Sequence, residues 1–515
     1  MAEVNWVALG VFLALFGFVS WLGFAAARWR KGDLDQLHEW GLGGRRFGTV
    51  VTWFLVGGDL YTAYTFIAVP ALAFGAGAIA FFAVPYTVII YPLLFLVFRR
   101  LWYVCHKRGY ITAGDFVRGR FGNRWLALAI TVTGIVATMP YIALQLVGIQ
   151  VVIGALGVGG SGLFGELPLL IAFLVLAAFT YSSGLRAPAS IAIVKDVLIY
   201  ITAIAAIIVI PAELGGFGKI FAAVPAQKLL LAVPGEHTTG AYGAYATLAL
   251  GSALALFLYP HSLTAILSAS SGRAIRRNAA LLPGYSFMLG LLALLGFFVI
   301  AAGVHDLPAY AAGFKTFGNN FAVPALLLQS FPSWFVGIAF AAIGIGALVP
   351  AAIMSIAAAN LYTRNIHREF INKNPTDKQE AQNAKWVSLL VKLGALVFIL
   401  FVPTKYAIQL QLLGGIWMIQ TLPAVMLGAY TRRFNAWALL IGWAVGTCLG
   451  TSMAIATNLQ NSYPLSIGSY TFPGYTAVYT VVVNVVLAAA LTPLFNRLAG
   501  SDAADETRAS DYLPS

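Results

Sequence analysis

Apolar runs of about 20 residues, each long enough to cross ~30 Å of hydrocarbon, recur along this chain from end to end. Charged residues or Gly/Pro clusters separate them. Thirteen runs are predicted as helices, over 5–27, 48–78, 80–98, 126–156, 167–184, 189–212, 243–268, 280–303, 332–362, 386–403, 406–430, 435–457 and 474–495. The first is read as a membrane span and not a cleaved leader, because its flank "MAEVNW" has no basic residue and "ARWRK" follows it.

Two runs look interrupted. The second, "WFLVGGDLYTAYTFIAVPALAFGAG", carries Gly57-Gly58-Asp59 and then Pro70, and the seventh carries Pro260-His261 within "LFLYPHSLT". Proline removes a backbone donor and clashes with the preceding turn. A backbone leaves helical form in hydrocarbon only where protein or a wet cavity surrounds it. Broken helices at matching places in two halves point to an inverted-repeat transporter with a midplane site; a pair of Pro-kinked helices is the plainer alternative. The breaks lie five helices apart, so helices 2–6 and 7–11 would form two five-helix repeats of opposite topology.

The expected fold is an all-α polytopic membrane protein of about 13 transmembrane helices. Its parts are an extra first helix and cytoplasmic loop (1–47), a first repeat (48–212), an external loop (213–242), a second repeat (243–430), two additional helices (431–497) and a cytoplasmic tail (498–515).

Composition removes the soluble alternative. Of 515 residues, 60% are hydrophobic and 10% charged, against about 25% charged in soluble domains. The net charge of +13 raises nucleic-acid binding, and its distribution argues against it. With the N-terminus outside, 26 Lys/Arg fall in cytoplasmic segments, Arg186 and Lys195 among them. Four (Lys219, Lys228, Lys315, Lys405) fall outside, and Lys392 lies within a span. That bias sets N-out and C-in and turns the basic face toward anionic lipids.

Cys105 and Cys448 fall in a loop and a span, so no disulfide is expected. The six histidines lack metal-ligand spacing, and no nucleotide-binding or hydrolase motif occurs. Neither an enzyme nor a bound cofactor is expected. The polar tail after Arg497 reads as disordered.

Four segments carry a resemblance. "GYITAGDFVRGRFGN" (109–123), "ALVPAAIMSIAAANLYTRNIH", "FIAVPALAFGAG" and "GIWMIQTLPAVMLGAYTRR" resemble, in order and spacing over roughly 45–435, motifs of the sodium:solute symporter family. "HEWGLGGRRFGTVVTWFLVGGDLYTAYTFIAVPALAFGAGA" and "ATMPYIALQLVGIQ" are similar to its bacterial monocarboxylate-permease branch. The resemblance implies a LeuT-type core with one helix before and two after. It also implies uptake of short acids such as lactate, pyruvate, acetate or propionate, and of alanine, across a bacterial inner membrane. A single chain would suffice.

Relatives hold sodium between the first broken helix and the eighth core helix. By resemblance the carbonyls of Gly58 and Tyr61 would be ligands, with Ala352, Ser355 and position 356 opposite. A hard cation wants about six oxygen ligands, and Ile356 supplies none where the family has Ser or Thr, so the site reads as degraded. Asp59, a mid-depth carboxylate costly to ionise, then becomes a candidate proton carrier or sodium ligand. A cap on the second half-helix is the structural alternative. Asp196 reads as a surface ion pair with Lys195, or as a proton-exit group.

The carboxylate of a substrate needs donors. Half-helix N-termini attract anions. Thr62, Tyr64 and Thr65 lie just past the break, and Tyr141 and Gln145 share a helix face at i, i+4. His261 sits at the second break, and Gln420 faces inward if the resemblance holds; interhelical hydrogen bonding is the bland account of each. Sodium-coupled uptake of proline or pantothenate, or ligand sensing by a transporter fold, are the competing functions.

Overall fold

The computed structural model describes residues 3–29, 32–158, 167–401, 407–460, 462–498 and 505–514. Of the lysines expected on the external side, Lys405 lies outside the described residues. The chain begins with α1 (Trp6–Ala25). A first broken span follows, made of α2 (Thr49–Gly57) and α3 (Val69–Ala76), and then α4 (Ala83–Leu93). Three long helices complete the first half: α5 (Arg124–Ala155), α6 (Leu167–Ser183) and α7 (Arg186–Glu213). A second broken span, α8 (Gly240–Leu256) and α9 (Pro260–Leu267), opens the second half. It is followed by α10 (Pro283–Ala302), α11 (Ser333–Tyr362), α12 (Asp377–Phe401) and α13 (Ala407–Met418). The helices α14 (Ala436–Ala456) and α15 (Thr476–Leu498) come last and pack on each other.

Among the described residues, eight helices are long and apolar enough to cross a membrane, or nine if α8 and α9, bent by 51°, count as one span. The thirteen expected runs do not appear as thirteen unbroken spans, because breaks cut several of them into shorter pieces. The second run divides at Gly57–Ala63, and the run ending near Leu427 gives only a short apolar helix.

The core centres on α11. Between Phe335 and Leu361 every residue except Ile338 is buried, and α1, α5, α7 and α12 pack against it. Small residues allow this. At Gly337 an added Cβ would lie 2.6 Å from the Ala8 carbonyl oxygen, and at Gly344 one would lie 3.2 Å from the Phe12 ring, the form that helix association takes when no hydrophobic force drives it. The same device joins α10 to α3. A Cβ added at Gly296 would lie 2.4 Å from the Pro70 carbonyl oxygen and 2.7 Å from the Phe74 nitrogen. Both are backbone atoms and cannot rotate away, so Gly296→Ala should cost about 1–3 kcal/mol. A melting curve of detergent-solubilised protein reads that loss, and an unchanged midpoint would refute the close approach.

Three expectations need correction. The chain is not wholly helical: β1 (Ser462–Ile467) and β2 (Tyr470–Tyr475) form an antiparallel hairpin, Ile467 opposite Tyr470. Gly468 at φ +62° makes the tight turn possible. The tail is docked, not free, over 505–514. Asp505 sits 2.8 Å from Arg120 and 3.4 Å from Arg432, and Asp511 pairs with Arg108 at 2.6 Å. Arg186 and Lys195 are not loop cations. Arg186 is buried with its guanidinium on the carboxylate and backbone oxygen of Glu39, and Lys195 is fully buried within α7.

Candidate functional site

The first break begins where side chains are missing. A Cβ at Gly57 would lie 2.3 Å from the Tyr285 ring, and one at Gly58 would lie 2.8 Å from Lys195 Nζ. Glycine therefore lets α10 and α7 close on the end of α2. The chain then turns through Asp59–Thr62 and re-enters helical form with one wide π turn, Tyr64–Ala68, a feature frequent at functional sites. At the second break Pro260 is the first residue of α9, where its missing N–H would have had no helical partner.

Local groups secure the new helix start. Tyr64 N–H donates to Thr62 Oγ1 at 3.0 Å, and Ala63 N–H donates across to Gln145 Oε1 at 3.1 Å. The Thr65 hydroxyl donates to the Leu60 carbonyl. Gln145 Nε2 also reaches the Tyr141 carbonyl at 3.4 Å. These bonds correct the capping alternative for Asp59. Its Oδ2 accepts the Ser262 hydroxyl, and its Oδ1 lies 3.3 Å from His261 Nε2. The carboxylate thus links one broken span to the other.

His261 is fully buried, and neither ring nitrogen makes a hydrogen bond. The Tyr141 and Tyr259 rings flank it at 5.2 and 5.4 Å between centroids. The result is a buried cluster in which an imidazole, a carboxylate and two tyrosine rings face one another. Of the expected substrate residues, Thr62, Thr65, Tyr141, Gln145 and His261 gather at the two breaks, and Tyr64 lies on the π turn beside them. Gln420 does not. Its amide bonds the Ile416 carbonyl at 3.1 Å and Thr480 Oγ1 at 2.8 Å, and Asn484 of α15 reaches it in return. It joins the core to an outer helix.

The oxygens expected to hold sodium are otherwise engaged. Lys195 Nζ donates to the Gly58 carbonyl at 2.6 Å and to the Tyr61 carbonyl at 3.0 Å. Opposite, the Ala352 carbonyl accepts from Ser355 Oγ at 2.8 Å, and Ser355 Oγ accepts from Ser388 Oγ at 3.2 Å. Lys392, buried in α12, donates to Ser388 at 2.9 Å. Ile356 brings no side-chain oxygen. These residues do not fit a sodium ion as they stand, because an ammonium already holds two of the carbonyls.

Asp196 is not a surface group. It is fully buried, 3.0 Å from Lys195 Nζ, and its other oxygen accepts the Tyr285 hydroxyl. The Tyr61 hydroxyl donates to the Tyr285 carbonyl at 3.1 Å. Sequence reasoning missed Ser262, Tyr259 and Tyr285, which pass as ordinary helix residues. The signal for Ser262 was its adjacency to Pro260-His261.

Comparison with known proteins places this geometry. The model of the sodium:solute symporter family matches residues 40–446. A monocarboxylate transport permease protein of Rhizobium johnstonii is 51% identical over 500 residues, covering 96% of this chain and 98% of that one. An uncharacterized symporter of Bacillus subtilis is 31% identical, covering 97% and 95%. Among solved structures, a Na+-coupled sialic acid symporter in a substrate-bound outward-open state superposes with a TM-score of 0.75 at 17% identity, covering 95% of this chain and 98% of that one. A nucleobase-cation-symport-1 transporter closed on bromovinylhydantoin gives 0.55 at 11%, covering 92% and 98%. At those identities the likeness is one of fold.

Proposed function

The chain belongs to the sodium:solute symporter family, and from that premise we propose that it imports short monocarboxylates together with a cation by alternating access. The observation that carries the substrate class is the Rhizobium johnstonii permease, half identical along nearly its whole length. The buried polar cluster at the two breaks supports that reading. An acid of a few carbons needs one or two donors, and His261 keeps Nδ1 without a hydrogen bond while Nε2 faces Asp59 at 3.3 Å. Among the described residues no arginine joins the contacts around Asp59 and His261, so neutral donors replace a bidentate clamp and favour modest affinity.

In this reading the two broken spans are the paired elements of two inverted five-helix repeats, 48–212 and 243–430. The N-terminus faces outward in the cytoplasmic membrane of a bacterium, and one chain transports alone. Lactate, pyruvate, acetate, propionate and alanine are the candidate cargoes.

Entry of labelled pyruvate into liposomes preloaded with unlabelled pyruvate tests the cargo independently of any driving ion. Saturable exchange is expected, inhibited by lactate, acetate and propionate and not by proline or pantothenate. Inhibition by proline or pantothenate alone would transfer the assignment to another small nutrient. Binding with no flux of any acid would make the chain a sensor.

A further inference from the structure

Two short helices, Arg99–Arg108 and Ala113–Phe121, are joined by the turn 109–112, and arginines grip that turn. Arg45 donates from Nη1 to the Cys105 carbonyl at 3.0 Å and from Nη2 to the Tyr110 carbonyl at 2.6 Å. The Ile111 N–H donates to Asp115 Oδ2 at 2.9 Å, and Arg364 Nε reaches the same oxygen at 3.3 Å. Arg45 itself stands in the left-handed backbone region at φ +55°, a costly conformation for a residue with a side chain and one that concentrates at functional sites.

Against this turn lies a cavity of about 360 Å³, with the exposed His38 and His106 among its walls. Arg45, Arg364 and Arg368 line it as well. Glu380 is shared by Arg364 at 3.4 Å and Arg368 at 3.5 Å, and among the described residues Arg45 pairs with no carboxylate. Asp377 reaches the cavity as an exposed side chain. Three guanidiniums around one space offer forked donors to a carboxylate. A second gap, nearly closed at about 10 Å³, touches Leu258 and Pro260 at the second break and Ile111 and Thr112 of the turn. Ile111 is buried and lines both spaces.

We infer that the basic cavity is a second binding station for the cargo, on the inner side, and that Ile111 is the plug between it and the cluster around His261. The inference rests on the transport reading above, its orientation included. When Ile111 moves aside, the acid passes Pro260 and its carboxylate meets the donors of Arg45 and Arg364. Those donors also hold the turn that carries Ile111, so a carboxylate that takes them loosens the plug. The cluster at the breaks binds the acid with neutral donors, and the guanidiniums one step further in draw it toward release. Arg45 is the residue that receives the carboxylate, and Arg368 adds its charge from a half-exposed position.

Two measurements test this on the full chain. The first follows labelled pyruvate into right-side-out and inverted membrane vesicles, which present the outer and inner faces. Arg45→Gln should raise the inner KM relative to the outer by about tenfold, the loss of one charge-assisted hydrogen bond. Arg368→Gln removes only a long, half-exposed ion pair, so it folds whatever Arg45→Gln does, and it should raise the same ratio about threefold. An unchanged ratio in the variants that fold, or a rise of the outer KM alone, would overturn the inference. The second measurement needs no transport: modification of detergent-solubilised wild type by phenylglyoxal, located on each arginine by mass spectrometry. Pyruvate should slow modification of Arg45 several-fold, and chloride at equal ionic strength should not. No protection by pyruvate, or protection by inorganic phosphate alone, would overturn the inference. Should no acid be transported while pyruvate protects Arg45, the transport reading falls and the binding station stands.

Discussion

Replacing Asp59 by asparagine should lower the initial rate of pyruvate uptake about 100-fold while leaving the protein folded and monodisperse. The substitution keeps the shape of the side chain and removes its charge. Asp59 Oδ2 holds the Ser262 hydroxyl and Oδ1 faces His261 Nε2 at 3.3 Å, so the change acts on contacts between the two broken spans. A hydrogen bond to a charged partner is worth about 1.5–3 kcal/mol, and the upper end of that range corresponds to roughly two orders of magnitude in rate. Ser262→Ala removes one of the two contacts and should cost about tenfold. Asp59→Asn uptake within a few-fold of wild type would mean that the linkage between the breaks is packing alone. An equal loss in Ser262→Ala and Asp59→Asn would assign the effect to the hydroxyl.

The second large effect concerns stability. Arg186→Met should destabilise the solubilised protein by about 3–5 kcal/mol, the usual result of leaving one half of a buried ion pair alone. Arg186 is 1% exposed and Glu39 4%. The guanidinium holds both the carboxylate and the main-chain oxygen of Glu39, with Arg46 adding a more exposed contact at 2.8 Å. The double variant Glu39→Met/Arg186→Met should recover part of the loss, because no uncompensated charge then remains. Melting midpoints of the two single variants and the double variant decide it. Additive losses would show that the two side chains act separately.

The breaks were legible because their causes are written locally. Gly57-Gly58 and Pro260 disturb a helix wherever they stand, and a carboxylate at mid-depth is conspicuous. The carbonyls of Gly58 and Tyr61 were picked out by resemblance, and the structure sets an ammonium against them. Lys195 was hidden for a physical reason. In "SIAIVKDVLIY" it stands near the start of an apolar run, where counting basic residues assigns it to the cytoplasmic side. Its length carries the Nζ from α7 to the bare backbone of another helix, and the sequence holds no trace of that reach. Asp196, beside it, was read as a surface partner for the same reason.

Gln420 failed differently. An inward-facing amide and one that bonds an outer helix look alike until Thr480 and Asn484 are placed beside it. The hairpin at 462–475 lies between two apolar runs, where attention to helices hid its short alternation. The tail misled through composition, since its charges read as solvated until Arg108, Arg120 and Arg432 are placed around it.

That docked tail gives the carboxyl end of the chain a mechanical meaning. Asp505 touches Arg120, on the short helix Ala113–Phe121 that leads into α5, and also Arg432, which precedes α14. Two parts of the chain some 300 residues apart (Arg120 to Arg432) are therefore fastened by a segment that could pass for dispensable. Shortening the protein there would unlatch the face that carries Arg108, Arg120 and Arg432, and a label attached beyond residue 498 would report on that latch before it reported on transport.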